Sequence, residues 1–324
     1  MLRSLIPLVT GLSAFGLMGR PPAEPPPLHQ VAALKITILS TMLADQGMGE
    51  WGFSALVEAD GHRILFDTGL HPETVLQNAR DLGIDLSSVT DVVLSHHHGD
   101  HTGGLVALRR ELSKTSPTAM SRIHVAPGIF LSRRHPGSEE EGNPTIAVKS
   151  AMEETGAVFV VHRKPEEILP GVWLTGPIPR PNPERYWGAP ASIVTGNGLV
   201  SDSIPEDMSL LVNTDKGFIV LAGCGHAGTI NTVEYARRIL GAEPAYAIIG
   251  GLHLFAAPDS ALTWTATRLR SARLSYLLGA HCTGIEPVFR IRDLAALDRK
   301  RSVVAAVGSS FDLSKGIDPL SLAQ

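Results

Sequence analysis

The chain has 324 residues, of which 44% are apolar and 19% are charged, and this balance excludes an intrinsically disordered chain. Its 28 basic and 32 acidic residues give a formal net charge of −4, which disfavours binding to a nucleic-acid backbone. We therefore expect a small-molecule substrate, either phosphorylated or not, and no nucleic acid. The only two cysteines, Cys224 and Cys282, exclude a disulfide framework and leave a single bridge open.

The first 30 residues are predicted to be a signal-like or flexible segment. Residues 4–19 carry no charge, lie between Arg3 and Arg20, and are followed by five prolines up to Pro27. This apolar run is shorter than the about 20 residues that span a bilayer. The pattern fits an export signal or an N-terminal anchor, and equally a flexible extension of a cytoplasmic protein. Export, anchoring and a cytoplasmic location therefore stay open, and membrane contact is expected only through this segment.

The rest of the chain, residues 31–324, is predicted to be one layered α/β domain. The dipeptide Asp60-Gly61 predicts a hairpin between two strands, and Asn231 with Glu234 predicts a capping box at the start of a helix that ends at Leu240. Residues 113–205 are rich in Pro, Gly and charge and are expected to form an irregular insertion. In chain order, the main predicted strands are 35–39, 53–58, 62–66, 91–95, 123–126, 157–162, 218–222, 245–249, 275–280 and 303–307. Helical spacing between several of these strands favours sheets sandwiched between helices.

One short motif predicts a metal centre. Directly after the strand 91–95 the chain reads His96-x-His98-x-Asp100-His101. On a chain leaving a strand, His96 and His98 can face one ion, whereas Asp100 and His101, after the turn at Gly99, can face a second. Imidazole and carboxylate ligands together suit Zn²⁺, with Mn²⁺ and Fe²⁺ as alternatives. The same alternation turns His97 away from the ions.

This motif resembles the H-x-H-x-D-H signature of the metallo-β-lactamase superfamily, and the resemblance covers about residues 35–310. It implies an αββα sandwich, with two mixed sheets flanked by helices, and a two-metal centre in which Asp67 of ILFDTG orients ligands. The sequence is more specifically similar to the branch of 7,8-dihydropterin-6-methyl-4-(β-D-ribofuranosyl)-aminobenzene-5′-phosphate synthase. The similar segments are EWGFSALVE (50–58), TGPIPR (175–180), LAGCGHAGTINT (221–232), IGGLHL (249–254) and HCTG (281–284).

The resemblance also implies three ligands from later in the chain. His226 would complete the first ion's set and His281 the second's. The bridging aspartate of the superfamily has no obvious counterpart here: His253 takes its place in chain order, and another alignment puts Cys224 there. The predicted ligands are therefore His96, His98, Asp100, His101, His226, His253 and His281, and the bridging position stays open between His253 and Cys224.

These residues predict a metal-dependent hydrolase. A Zn²⁺ pair lowers the pKa of a bound water to about 7, so that metal-bound hydroxide can attack an ester, a phosphoester or a pyrophosphate, with Asp100 as general base. The synthase branch implies instead the displacement of pyrophosphate by an aromatic carbon. Arg180, Arg185, Tyr186 and Trp187 are expected in a lid or specificity loop. The alternative is a catalytically weak, metal-containing binding or sensor protein.

Overall fold

The computed structural model describes residues 28–184, 191–241 and 244–323 and shows two mixed sheets enclosed by helices. The helices are α1 (Thr74–Asp81), α2 (Gly99–Thr102), α3 (Leu105–Leu112), α4 (Pro144–Glu153), α5 (Thr229–Leu240), α6 (Asp259–Ser271) and α7 (Ile285–Leu294), with a 3₁₀ turn at His281–Thr283. The strands are β1 (Leu34–Ser40), β2 (Leu43–Ala44), β3 (Ser54–Ala59), β4 (His62–Phe66), β5 (Asp91–Val93), β6 (Arg122–Val125), β7 (Arg133–Arg134), β8 (Val158–Val161), β9 (Glu166–Leu169), β10 (Val172–Leu174), β11 (Ser192–Thr195), β12 (Gly198–Ser201), β13 (Leu210–Thr214), β14 (Gly217–Ala222), β15 (Ala245–Gly250), β16 (Tyr276–Gly279), β17 (Ser302–Val304), β18 (Ala306–Val307), β19 (Ser310–Asp312) and β20 (Gly316–Asp318).

Both large sheets combine antiparallel and parallel strands. The first has the order β20-β19-β1-β3-β4-β5-β6-β8 and is parallel from β4 to β8. The second has the order β17-β16-β15-β14-β13-β10-β9 and is parallel from β14 to β17. The parallel strands of each sheet are joined through helices, as parallel connections require. Two minor sheets, β12-β11-β7 and β18-β2, lie beside them.

Three apolar clusters show which helices and sheets pack against one another. The central cluster contains residues of both sheets, such as Ile36 and Phe66 of the first and Leu221 and Ile249 of the second. A second cluster joins the outer face of the second sheet to α5, α6 and α7. The third joins the outer face of the first sheet to α1, α3 and α4. The layers therefore run helix, sheet, sheet, helix, which confirms the predicted αββα sandwich.

The segment 113–205 is more regular than its composition indicates. Strands β6 and β8 belong to the first large sheet, and β9 and β10 belong to the second. Only β7, β11 and β12 form a sheet of their own. Most strands of this segment therefore extend the two main sheets.

A buried ionic network joins this segment to the histidine motif. The guanidinium of Arg133, fully buried, donates to Asp202 at 2.6 Å and to both carboxylate oxygens of Glu206 at 2.9 and 3.0 Å. His97 donates from Nδ1 to Glu206 at 2.6 Å. The His97 ring lies 4.5 Å from that of His98 between centroids, but among the described residues His97 belongs to no donor group, which agrees with its predicted exclusion from the ions. Its bond to Glu206 anchors the loop of the motif.

The predicted capping box is wrong. Helix α5 begins at Thr229, two residues before Asn231, so Asn231 lies inside the first turn. The carboxylate of Glu184 accepts from the N–H groups of Ile230 and Asn231 at 3.0 and 2.8 Å, and so fills the role expected of a cap. Helix α5 is therefore capped by Glu184, which is distant in sequence, and not by a residue next to its first turn.

The N-terminal prediction lies almost wholly outside the described residues, which begin at Leu28. The carbonyl of His29 accepts from Asn213 at 2.7 Å, and Val31 N–H donates to the Asn213 carbonyl, so the end of the predicted segment and the residue that follows it pair with β13. Within the described ranges, no helix has the length and apolar character needed to cross a bilayer.

We expect Arg133→Ala to lower the free energy of unfolding by about 3–5 kcal/mol, because it leaves two buried carboxylates without their partner. Its neighbour Arg134 is partly exposed and lies 3.5 Å from Glu141, so Arg134→Ala should cost less than about 1 kcal/mol. Denaturant unfolding of both variants checks this. Equal losses in the two variants would show that the buried network does not stabilise the fold.

Candidate metal centre

The candidate site lies at one edge of the sandwich, where strands of both sheets end. Strands β14, β15 and β16 are parallel neighbours, and their last residues, Ala222, Gly250 and Gly279, are in register. His226, His253 and His281 follow these three ends within four residues. The carboxyl ends of parallel strands meet at one edge of a sheet, which explains why residues far apart in sequence converge here.

The histidine motif approaches this edge from the first sheet. His96 and His98 lie between β5 and α2, and Asp100 and His101 lie in the first turn of α2. The chain turns sharply enough that α2 begins immediately after His98. The motif's four candidate ligands therefore face the ends of β14, β15 and β16.

Asp67, at the end of β4, fixes the orientation of His101. Its Oδ2 accepts from His101 Nδ1 at 2.7 Å, and its two oxygens also accept from the backbone and hydroxyl of Ser95 at 2.8 and 2.7 Å. A Cβ on Gly223 would lie 2.6 Å from Asp67 Oδ2, so only glycine fits beside this carboxylate. Because Nδ1 is held by Asp67, the Nε2 atom of His101 faces the cluster.

Among the described residues, five groups of three donors have their ligand atoms within 4.8 Å of one another, and two of these groups match the predicted ligand sets. The first group contains His96, His98 and His226. The second contains Asp100, His101 and His281, and here Asp100 Oδ2 lies 3.3 Å from His281 Nε2. These are the two sets that the sequence assigns to the first and second ions. The rings of His96 and His101 are 4.3 Å apart between centroids, so the two groups adjoin.

His253 lies to one side of the cluster. Its ring centroid is 4.5 Å from that of His226, and it forms a donor group with His226 and Cys224. Among the described residues, no such group joins His253 to Asp100, His101 or His281. Chain order predicts His253 at the position between the two ions. In the structure, however, it is the Cys224 sulfur that forms donor groups with ligands predicted for the first ion and with ligands predicted for the second.

The donor set fits divalent metal ions. Both ring nitrogens of His226 and of His281 are buried without a hydrogen-bond partner. A buried polar atom left without a partner costs free energy, and a metal ion would satisfy one nitrogen of each ring. Imidazole nitrogens and a carboxylate oxygen are ligands that Zn²⁺, Mn²⁺ and Fe²⁺ accept.

Burial and mutual proximity set the charge of these groups. Burial, reinforced by neighbouring imidazoles, holds the pKa of His96 and of His226 well below the usual value, and burial lowers the pKa of His98 to about 3. These three rings are therefore neutral at pH 7, which is the form that binds metal. Burial also lowers the pKa of His101, but the charges of Asp67 and Asp100 outweigh it and raise this pKa to about 9. A metal ion at this ring would replace a proton.

Asp100 remains a carboxylate. Burial raises its pKa, but the positive field of His101 and the close approach of the His281 ring outweigh this effect and hold the pKa below its usual range. Its side chain is partly exposed and lines a cleft of about 530 Å³ above the cluster. Asp100 is thus an anion placed between the buried donors and the space open to a substrate.

Sequence reasoning missed the aromatic rim of this cleft. Trp51 and Phe255 are 45% and 47% exposed, lie edge to face with centroids 5.7 Å apart, and flank the imidazoles of His281 and His253. Glu50 holds this rim: its buried carboxylate accepts from Ser40 and from the backbone of residues 70 and 71. Burial raises the pKa of Glu50, but these hydrogen bonds outweigh it and leave the pKa lowered. The sequence signal that could have revealed this rim is the position of aromatic residues beside the glycine-rich ends of strands.

Other predicted residues lie elsewhere. Arg180 is exposed and donates to the Ile204 carbonyl at 2.8 Å. Arg185, Tyr186 and Trp187, predicted in the lid, are outside the described residues. His124 and His162 are buried and hydrogen-bond to each other at 2.9 Å, and they belong to none of the donor groups found among the described residues.

Comparison with known proteins shows the family of the chain. A family model described as the metallo-beta-lactamase superfamily matches residues 52–184. The chain is 30% identical over 272 residues to 7,8-dihydropterin-6-methyl-4-(beta-D-ribofuranosyl)-aminobenzene-5'-phosphate synthase of Methanocaldococcus jannaschii, an alignment that covers 80% of this chain and 90% of the synthase. The chain therefore belongs to the metallo-beta-lactamase superfamily. Within it, the chain falls in the branch that includes this synthase.

Solved structures share the fold. Tm1679, described as a metal-dependent hydrolase of the beta-lactamase superfamily, aligns with 86% of this chain and 98% of its own at a TM-score of 0.71 and 24% identity. Zn²⁺-bound PqqB from Methylobacterium extorquens aligns with 86% of this chain and 100% of its own at a TM-score of 0.53 and 14% identity. Metal binding is typical of this superfamily.

We expect His96→Ala and His98→Ala each to lower the bound metal and any hydrolytic activity together, because each removes one imidazole from the first donor group. Elemental analysis of the purified variants measures the metal. His62→Ala, which changes an exposed histidine on β4, is the matched control and should leave metal content unchanged. Wild-type metal content in both motif variants would contradict the assignment.

Proposed function

We propose that this protein is a binuclear metal-dependent hydrolase that cleaves an ester, phosphoester or pyrophosphate bond in a small, planar substrate. The supporting observation is the cluster of six donors beneath an open cleft. His96, His98 and His226 would hold one ion, and Asp100, His101 and His281 the other. Zn²⁺ suits these ligands, with Mn²⁺ and Fe²⁺ as alternatives. When bound, such ions supply Lewis-acid chemistry, in that they lower the pKa of water and polarise a carbonyl or phosphoryl oxygen.

The chain's own residues would orient the reacting groups. Asp100 is the one carboxylate in the donor groups found among the described residues, and it lines the cleft. In this proposal its second oxygen would accept a hydrogen bond from an attacking water and then its proton. The backbone holds this residue, because the Asp100 carbonyl accepts from Phe53 N–H at 3.0 Å. The segment that positions Asp100 therefore also carries the exposed ring of Trp51.

The rim of the cleft supports a planar substrate. Trp51 and Phe255 present exposed ring surface directly beside the candidate site. Trp51 packs against the imidazole of His281, and Phe255 packs against that of His253. An aromatic group of a substrate would stack on these rings or pack against their edges. Arg133 also borders the cleft, but its guanidinium is fully buried and its charge is already matched by Asp202 and Glu206.

The second candidate function is a transfer reaction of the dihydropterin synthase kind. It is supported by the 30% identity to the synthase of M. jannaschii, whose name describes an aromatic and phosphorylated product. In such a transfer an aromatic carbon replaces water as the nucleophile, and pyrophosphate leaves. The same cleft fits both reactions, since the aromatic rim would hold the planar reactant in either.

The test combines metal content with turnover of bis-p-nitrophenyl phosphate, a generic phosphodiester. Two ions per chain together with release of p-nitrophenol would support the hydrolase. Two ions with no turnover of this compound, but with release of pyrophosphate from a phosphoribosyl donor and an aromatic acceptor, would support the transferase. One ion and no turnover on either would contradict both and favour a metal-containing binding or sensor protein.

Asp100→Asn keeps the size of the side chain and an oxygen ligand but removes the charge. We expect at least one ion to remain bound while kcat falls on the order of 10²-fold or more, the scale of a lost general base. The measurement is a pH–rate profile from about pH 6 to about pH 9. Equal profiles for the variant and the wild type would show that Asp100 does not act as the base.

Trp51→Ala should raise KM for an aromatic phosphodiester by roughly 3- to 10-fold, because a ring contact contributes about 0.5–1.5 kcal/mol beyond the area it buries. Metal content should not change, since Trp51 is not among the donors. Phe289→Ala, at a 38% exposed aromatic residue on α7 that does not line this cleft, is the control and should leave KM unchanged. An unchanged KM in Trp51→Ala would remove the aromatic rim from the substrate site.

A further inference from the structure

Cys224 lies where the two donor groups meet. Its Sγ is 3.1 Å from His101 Nε2, the ring atom that Asp67 turns toward the cluster. The sulfur shares one donor group with His96 and His101, another with His226 and His253, and a third with His281 and Cys282. The side chain is 1% exposed and therefore faces the cluster and not solvent.

The charge balance of the two predicted ligand sets favours a second anionic ligand. The two sets of ligands contain five imidazoles and one carboxylate, so Asp100 alone would face the four positive charges of two divalent ions. Buried charge is costly unless it is neutralised nearby. A thiolate at the centre of the site would bring one more negative charge to both ions, which is the role that a bridging carboxylate has in the superfamily.

We propose that Cys224 is a metal ligand that binds through Sγ between the two ions, in the place of that bridging carboxylate. This inference rests on the metal centre of the proposed function. Binding forms an Sγ–metal bond and releases the thiol proton to solvent, with no change of oxidation state. His226 and His281, whose ring nitrogens are buried without partners, lie on either side and point to a ligand at this position.

The second cysteine has a different place. Cys282 Sγ lies 3.3 Å from Cys224 Sγ and accepts from His253 N–H at 3.3 Å, and it belongs to one donor group only. Its thiol can donate to the Cys224 sulfur and hold it in position. Both thiols are therefore buried and adjacent, but the Cys224 sulfur belongs to three donor groups and the Cys282 sulfur to one, so Cys282 is a suitable control for Cys224.

Cobalt substitution tests the assignment without depending on turnover. The protein is stripped of metal with a chelator and reloaded with Co²⁺, and its absorption is recorded in the near ultraviolet, where thiolate-to-cobalt charge transfer appears. We expect this band in the wild type, its loss in Cys224→Ser, and its retention in Cys282→Ser. Loss in Cys282→Ser alone, or loss in both variants when both are folded by circular dichroism, would overturn the assignment of the ligand to Cys224.

X-ray absorption of the Zn²⁺-loaded wild type needs no variant. We expect a sulfur scatterer at about 2.3 Å, whereas nitrogen and oxygen alone at about 2.0–2.2 Å would overturn the inference. The two proposals fail in different ways. A metal-loaded, active protein without a sulfur ligand contradicts only the role of Cys224, and a sulfur-ligated protein without turnover contradicts only the enzyme. A protein that takes up no metal contradicts both.

Discussion

The structure depends on the burial of imidazole rings at the edge shared by its two sheets. His96, His101 and His281 are completely buried, and His226 is nearly so. Nitrogens removed from water need partners, and those of His226 and His281 have none among the described residues. A metal ion at these nitrogens would remove this cost, and the neutral state of His96, His98 and His226 favours a metal ion over a proton. Metal binding at this edge would therefore also stabilise the fold.

Around these rings, two sets of buried polar contacts prevent the histidine loop from relaxing. Asp67 fixes His101 and also the backbone of Ser95, just before the motif. In addition, Glu206 fixes His97, whose ring packs against His98, and Arg133 neutralises Glu206. Neighbouring residues of one loop are thus held by two separate buried carboxylates, so the intervening rings keep their geometry before any metal arrives. Ligands positioned in advance lose less entropy on binding.

The sequence predicts this site well where the signal is local or follows from strand order. The spacing from His96 to His101 is a local pattern, and the strand ends before His226 and His281 predict their convergence because parallel strands share an edge. The αββα layers followed from the resemblance. The α5 cap was missed because Glu184, 46 residues away from Ile230, supplies it. The Arg133–Glu206 pair spans 73 residues and has no periodic signal. The relative placement of Cys224 and His253 depends on side-chain directions at neighbouring strand ends, which chain order does not specify.

The candidate metal ligands and the aromatic rim come from different parts of the chain, and this division would let one fold serve either of the two proposed reactions. The donors are fixed by buried strand ends and by Asp67, whereas the cleft is bordered by Trp51 and Phe255, which stand on exposed connections. In the proposed enzyme, changes at the rim would therefore alter which nucleophile and which planar group reach Asp100 and would leave the buried donors in place. The rim and the donors are nevertheless coupled through Phe53, two residues after Trp51, whose N–H donates to the Asp100 carbonyl. A planar group bound at Trp51 would act on the backbone that holds Asp100, so substrate recognition would help to set the position of the proposed base.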